Sequence, residues 1–367
     1  MFNGINIIGP VFGEFGIGED VRKLAQALLS LNLPISIVSY PEKGNFVEAN
    51  RSLEAYVTNK FVYQCNIFCM PLIETYRFFS QYGLSEFENR CNIAYAPWEL
   101  EDWPKEFSFF GALFDEVWAS SLHTLNAYKK SLEQPIYQIP LIVENSDKSP
   151  LKELGQKIKI DRFKYTFLYV FDSNSTFSRK NPQDVIRAFQ KVLNTYPDIA
   201  LILKTMNYQY DDQKLNKILE KNPNIILIND CLSRSELLGL YDICDAYISL
   251  HKAEGFGRTI AEAMLLKKPT IVSNYSGNTD FCTNETSFLV DGKLERIAPY
   301  AYPFWRSNRW FSPDLDSAAR QMLQCVSRPD VRSSKVEKAY RLISESFSNQ
   351  AVSKKIDDRL KSLYVKS

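Results

Sequence analysis

Two glutamates, Glu254 and Glu262, flank the turn Gly255-Phe256-Gly257-Arg258-Thr259. A short apolar run, Ala246-Tyr247-Ile248-Ser249-Leu250, precedes the turn. An apolar-periodic stretch follows it and stops at Lys267-Lys268-Pro269. The order is therefore strand, glycine turn, helix. Two glycines let a backbone bend tightly and approach a ligand closely. The first amides of a helix lack partners and, with the helix dipole, favour an anion. A diphosphate suits that position. One of the two carboxylates can face a sugar at the mouth of the turn while the other, deeper in the crevice, reaches a ribose. The plain alternative is a glycine turn carrying two solvated glutamates.

Cations recur at the ends of other expected strands. Arg179-Lys180-Asn181-Pro182 stands at a helix start after the run Tyr165 to Asp172, and Lys204 closes the run Ala200 to Lys204. Cations so placed suit a phosphate in the crevice; solvated side chains are the alternative. Which of Arg179 and Lys180 contacts phosphate stays open. Arg258 either joins this set or pairs with Glu254. Cys231 and Leu232 follow the apolar run Asn224 to Asn229, and Ser233 stands as a helix cap ahead of Glu236.

Earlier in the chain, Ile5 to Gly9 reads as a strand, followed by Gly16 and Gly18 at a helix start. That pair lacks the third glycine and the distal acid of a dinucleotide fingerprint, which disfavours an NAD enzyme. Further strands are expected at 34–38, 63–70, 92–96, 115–121 and 136–140. Strands ending in polar loops with helices between them describe an open parallel sheet. Ligands of such sheets bind beyond the carboxyl ends of the strands, which puts Trp98 and Glu99 on a cleft edge. His123 reads as a capping or packing residue. The polar stretch from Val143 to Gln156 reads as a linker. The aromatic and basic stretch from Pro299 to Pro313 reads either as a surface loop tucked under its own rings or as a sugar contact. A last helix is expected over about 350–364.

Bulk properties narrow the classes. The 367 residues are 45% apolar, enough for two cores, and 44 basic against 43 acidic side chains leave a charge of +1. Nothing there favours nucleic acid as a partner. Seven scattered cysteines, several inside apolar runs, point to a reducing compartment and no structural zinc. No leader and no long apolar run is visible, so a cytoplasmic protein is expected, with peripheral association at the inner face of a membrane left open.

Glu254-Gly255-Phe256-Gly257 followed by Ala261-Glu262-Ala263-Met264 resembles the Glu-x7-Glu signature of the retaining glycosyltransferases of family 4 (glycosyl transferases group 1), which have the GT-B fold. Pro269 to Asn274, Ser276-Gly277-Asn278 and Phe288 to Gly292 are similar to the segments that follow it there. The resemblance covers most of the C-terminal half. It implies two Rossmann-like α/β domains whose parallel sheets face a central cleft. Residues 1–148, joined by a final helix at 350–367 that crosses back, would bind the acceptor, and residues 149–349 the nucleotide sugar.

The implied reaction moves a hexose-type sugar from GDP-mannose or a UDP-hexose to a glycan or lipid-linked acceptor hydroxyl, with retention, in surface polysaccharide assembly. By the same resemblance Glu254, Lys204 and Arg179 are catalytic. Lys180, Cys231, Leu232, Gly255, Phe256, Gly257, Arg258, Thr259 and Glu262 hold the donor, the base meeting backbone near Cys231 and Leu232. Gly16 and Gly18 close over donor or acceptor, and Trp98 and Glu99 meet the acceptor. The chain departs from the pattern at Ser175, where an arginine is usual, and near Glu99, where many members carry a histidine. No metal and no cofactor is expected, and oligomeric state is open. Two alternatives stand beside this reading: a sugar-nucleotide epimerase of the same fold, and a non-catalytic sugar-nucleotide-binding regulatory subunit.

Overall fold

The computed structural model describes residues 2–40, 48–144, 159–209 and 213–364. The chain divides into two compact units, Met1–Val143 with Glu345–Ser367, and Glu144–Ser344. Most of the expected linker, and the expected boundary at 148, lie outside the described residues.

The first unit holds six parallel strands: β1 (Ile5–Gly9), β2 (Ile35–Ser39), β3 (Cys65–Phe68), β4 (Cys91–Ala94), β5 (Glu116–Ala119) and β6 (Ile136–Gln138). Their order across the sheet is β2-β1-β3-β4-β5-β6. Most of these short apolar runs are buried on both faces, as a parallel sheet covered by helices requires. Register is marked by a polar ladder. Asn6 Nδ2 donates to Asn66 Oδ1 at 2.7 Å, and Asn66 Nδ2 donates to Asn92 Oδ1 at 2.8 Å. The three asparagines are register partners on β1, β3 and β4, so a slip of one residue would leave buried amides without partners.

The C-terminal helix Asn349–Tyr364 belongs to this unit. Val352, Ile356 and Leu360, at helical spacing, enter the same core cluster as Leu24 and Leu28 of the helix Gly16–Ser30. Arg359 Nε donates to both oxygens of the buried Glu116, and Trp118 Nε1 donates to Glu116 Oε1 at 2.6 Å.

The second unit repeats the architecture with β7 (Tyr165–Val170), β8 (Ile199–Thr205), β9 (Ile225–Asn229), β10 (Ala246–Ser249), β11 (Thr270–Ser273) and β12 (Phe288–Val290). The order is β12-β11-β10-β7-β8-β9. Strand order reverses between β7 and β10, and in an open α/β sheet such a switch point is where the carboxyl-end loops part and admit a ligand. A hairpin of β13 (Gly292–Arg296) and β14 (Arg309–Pro313) was not expected; part of the aromatic stretch reads as strand. Its backbone is captured by tertiary contact. Phe311 N donates to the Lys252 carbonyl at 2.8 Å, and the Phe311 ring stacks on Tyr275 with centroids 5.5 Å apart.

Candidate active site

The site is built where β7 and β10 end. After β10 the chain runs through His251 to Gly257 and enters the helix Arg258–Leu265. Gly257 caps this helix at φ +93°, a left-handed conformation that costs an L side chain strain. Gly257 has no side chain to cap the helix, Ile260 N and Ala261 N both donate to its carbonyl, and the dipole at this helix start favours an anion. The loop before the helix is braced from the side by the segment after β11. Ser276 Oγ accepts from Glu254 N at 2.9 Å, and Gly277 N donates to the Glu254 carbonyl at 2.9 Å. A Cβ on Gly277 would stand 2.1 Å from the Gly255 carbonyl oxygen, so only glycine permits this approach. His251 is fully buried, with Nδ1 3.0 Å from Ser249 Oγ and Nε2 3.0 Å from Asn278 Oδ1. Burial lowers its pKa, which suits a neutral imidazole that ties the two loops together.

Glu254 meets its cations from the loop after β7. Lys180 Nζ donates to Glu254 Oε1 at 2.5 Å, and Arg179 Nη1 lies 3.4 Å from the same oxygen. Burial pushes this carboxyl up, but Lys180 first and then Arg179 outweigh it and hold it at about 2. Glu254 is therefore a carboxylate at any physiological pH. The two cations differ in kind. Arg179 is buried, with Nη1 donating to the Ala253 carbonyl at 2.8 Å and Nη2 to the Ser175 carbonyl at 3.0 Å. It clamps the Glu254 loop to the β7 loop. Lys180 keeps more exposure and spends its ammonium on the carboxylate. Neither opens the following helix, as the sequence suggested; both stand in the last turn of a short helix, Phe177–Lys180, that precedes Pro182–Leu193. Asn181 joins the two at φ +57° and anchors them by donating Nδ2 to the Leu250 carbonyl at 2.9 Å.

Lys204 lies near the end of β8, next to β7 in the sheet. Its side chain is almost wholly buried, and Nζ donates to the Thr205 carbonyl at 3.1 Å. Among the described residues no carboxylate comes within ion-pair distance of it. Burial lowers its pKa, against the pull of Cys231, Asp172 and Asp230. A buried ammonium with one neutral partner is costly unless an anion arrives to complete it.

Glu262 is 2% exposed. Its nearest cation is one the sequence reading missed: Arg234 Nη2 lies 2.8 Å from Glu262 Oε1. Arg258 Nη1 stands 3.9 Å from the same oxygen, so Arg258 lies toward Glu262 and not toward Glu254, one of the two roles left open for it. The reason is helical geometry, since Arg258 and Glu262 are one turn apart on the same face. Arg234 carried a local signal, because it opens the helix Arg234–Asp242 behind the capping box of Ser233 and Glu236. What it faces depends on strand order.

The other expected donor residues line the same ends of the sheet. Cys231 is exposed and Leu232 half-buried just beyond β9. The Phe256 ring packs inward on Phe281, leaving its backbone to the turn. Thr259 is occupied: its Oγ1 accepts from the Tyr247 hydroxyl at 2.8 Å and its carbonyl from Tyr241 at 3.1 Å. From the hairpin region, Tyr302 lies over the Arg179 guanidinium at 5.9 Å.

In the first unit two expectations change. Trp98 does not stand on an open edge; it is 5% exposed and packs on Trp103 with centroids 4.8 Å apart. Its size and apolar neighbours draw it into the core, leaving Glu99 half-buried beside it. His123 Nε2 lies 2.9 Å from the Glu99 carbonyl oxygen, in a packing role. Gly16 and Gly18 also part company. A Cβ on Gly16 would meet nothing within 4 Å, whereas one on Gly18 would stand 2.2 Å from the Gly13 carbonyl oxygen. Gly18 is thus a close-approach residue under the loop after β1. That loop is held by Arg22, which donates Nη1 to the Val11 and Gly13 carbonyls at 2.8 and 2.7 Å.

Residues 155–298 match the sequence profile described as "Glycosyl transferases group 1". Over 158 residues, 41% of this chain, the sequence is 27% identical to the capsular polysaccharide biosynthesis glycosyltransferase CapM of Staphylococcus aureus. Over 169 residues it is 26% identical to an uncharacterised glycosyltransferase of Sulfolobus islandicus rod-shaped virus 1. The matches span 39% and 48% of those two proteins. Whole-chain likeness is seen in solved structures. Sucrose-phosphate synthase from Thermosynechococcus elongatus superposes with a TM-score of 0.71 at 13% identity, covering 99% of this chain and 100% of its own. A Rickettsia africae glycosyltransferase gives 0.69 at 17% identity, with both chains fully covered. Anabaena HepE, solved in complex with UDP and glucose, gives 0.67 at 15% identity, covering 98% of this chain and 99% of its own.

Proposed function

We propose that the protein, a chain of GT-B fold whose residues 155–298 match the glycosyl transferases group 1 profile, is a retaining glycosyltransferase. It moves a hexose-type sugar from a nucleoside diphosphate sugar to a hydroxyl of a glycan or lipid-linked acceptor. The observation that carries this reading is the charged Glu254, clamped by Arg179 and Lys180 at the mouth of an uncapped helix start, with the buried Lys204 on the neighbouring strand.

The chemistry follows from the charges. As the bond between the anomeric carbon and the phosphate oxygen breaks, negative charge grows on the diphosphate and positive charge on the sugar. The amides of the Arg258–Leu265 helix and the Lys204 ammonium are preorganised for the first charge. Lys180 adds to them at the cost of sharing Glu254. Glu254, ionised and braced through its own backbone, accepts from sugar hydroxyls and favours the growing cation. The acceptor oxygen forms the new bond to the anomeric carbon on the face the diphosphate leaves, and its proton passes to the departing phosphate oxygen. Glu262 accepts from the ribose, and backbone near Cys231 and Leu232 meets the base.

A diphosphate met by amides and cations needs no metal, so activity should survive a chelator. We assign acceptor binding to the first unit, with the loop that Gly18 supports and Glu99 taking part. UDP-hexoses stand first among donors, since HepE was solved with UDP and glucose, and GDP-mannose second. The likeness to CapM favours surface polysaccharide as the product. We assign the protein to the cytoplasm; among its described residues no helix is long and apolar enough to cross a membrane.

The test begins with thermal-shift measurements against UDP, GDP, ADP and dTDP, because a ligand of the native state raises apparent stability. Turnover of the matching sugar donor is then followed with and without lipid-linked glycan, and with EDTA. A shift by one nucleoside diphosphate, and transfer that needs acceptor and survives EDTA, is the expected result. No shift by any nucleotide sinks the reading. Donor binding without turnover marks a regulatory subunit, and acceptor-free conversion of the sugar marks an epimerase.

A further inference from the structure

We propose that Arg234 is a positioning residue for Glu262, and that through it the site prefers ribonucleotides to 2′-deoxyribonucleotides. The inference rests on the reading of the second unit as a nucleotide-sugar domain. It begins from an imbalance at Glu262. The carboxylate is 2% exposed, yet among the described residues neither of its oxygens has a hydrogen-bond partner. Arg234 Nη2 is close, at 2.8 Å, without hydrogen-bond geometry, and Arg258 stands at 3.9 Å. Charge is balanced while hydrogen bonding is not. A buried acceptor left unmade is expensive, so such a group points to a donor supplied from outside.

The geometry defines that donor. The closest approaches of the two guanidinium groups are to Oε1, and both carboxylate oxygens remain acceptors without a hydrogen bond. A carboxylate presents two acceptors side by side, and the matching partner is a vicinal diol. A ribose offers one; a 2′-deoxyribose does not.

The role of Arg234 comes from how it is held. The capping box between Ser233 and Glu236 fixes the start of its helix, so the guanidinium approaches Glu262 from a rigid origin. Glu262 sits on a second helix, with three side-chain torsions to settle. Arg234 settles them by charge, and it keeps 16% of its own surface exposed. With the carboxylate so placed, both of its oxygens stay available as acceptors for an incoming sugar. Only a partner offering two hydroxyls restores to the carboxylate what Arg234 concedes.

The test measures affinities for UDP and 2′-deoxy-UDP, and for GDP and 2′-deoxy-GDP, by calorimetry on the full chain. Wild type, R234M, R234K, E262Q and the double variant R234M/E262Q are compared, with unfolding midpoints as the control for folding. Wild type should favour the ribonucleotide by about tenfold or more, the worth of a hydrogen bond to a charged group. R234M should lose most of that ratio, with affinity for the deoxy form changed less than about twofold, and R234K should restore part of it. E262Q should collapse the ratio too, and the double variant should go no further than either single one. Equal weakening of both nucleotides by R234M, an unchanged ratio, or no ribose preference in wild type overturns the proposal. If R234M does not fold, R234K decides on the same ratio. A folded wild type that binds no nucleotide overturns the reading of the domain itself.

Discussion

Replacing Glu254 by glutamine should separate two consequences of one carboxylate. Its pKa is held at about 2 against an ordinary 4.5. At about 1.4 kcal/mol per tenfold change, that gap is worth about 3 kcal/mol of folding free energy at neutral pH. The sign follows from the direction. A depressed carboxyl contributes stability that is full above the ordinary value and is lost as pH falls toward the folded one. E254Q should therefore be less stable than wild type by about 3 kcal/mol from pH 8 down to about pH 5.5. The difference should shrink to roughly 1.5 kcal/mol near pH 3, because the unfolded wild-type chain takes up its proton there while the folded carboxylate is still charged.

Urea unfolding of both proteins at several pH values measures this. The same variant frees Lys180 and Arg179 from their counter-charge. Nucleoside diphosphate affinity should hold or rise while sugar transfer falls by about a hundredfold or more. An E254Q protein as stable as wild type at pH 7, or a difference that ignores pH, refutes the electrostatic reasoning. Loss of nucleotide affinity in parallel with transfer refutes the assignment of Glu254 to the sugar.

Three further outcomes follow from the same geometry. K204M removes an ammonium buried with one neutral partner, so the ligand-free protein should be as stable as wild type or more so by about 1 kcal/mol, while nucleotide affinity falls about tenfold; thermal shift with and without nucleotide reads both. G257A forces an L side chain to φ +93° with its Cβ 3.2 Å from Asn278 Cβ and Ile260 Cδ1, which should cost about 1–2 kcal/mol in urea unfolding and weaken nucleotide binding. G16A should be neutral or slightly stabilising and G18A destabilising by on the order of 2 kcal/mol, since only the latter drives a Cβ to 2.2 Å from a carbonyl oxygen; equal effects would show that the loop after β1 yields.

What could be read from the chain alone was what short-range physics encodes. Apolar runs bounded by polar turns marked the strands of the first sheet and four of the six in the second. The glycine turn, the helix behind it and the Ser233 to Glu236 cap are local, set by backbone torsions and by partners three or four residues away. The charge at Glu254 was legible as a type and a place, and so were the cations as a set.

Tertiary structure decided who meets whom. Lys180 and Glu254 are distant in sequence and touch because β7 and β10 are neighbours where strand order reverses. Arg234 reaches Glu262 only once its helix and the Arg258–Leu265 helix lie over that sheet, and spacing gave no hint of it. Burial, likewise a property of the packed state, took Trp98 from an expected edge into the core and turned the last third of an aromatic loop into a strand against Lys252. Local torsions are settled within a turn of the chain; electrostatic partnership is settled by strand order, which no window of a few residues contains.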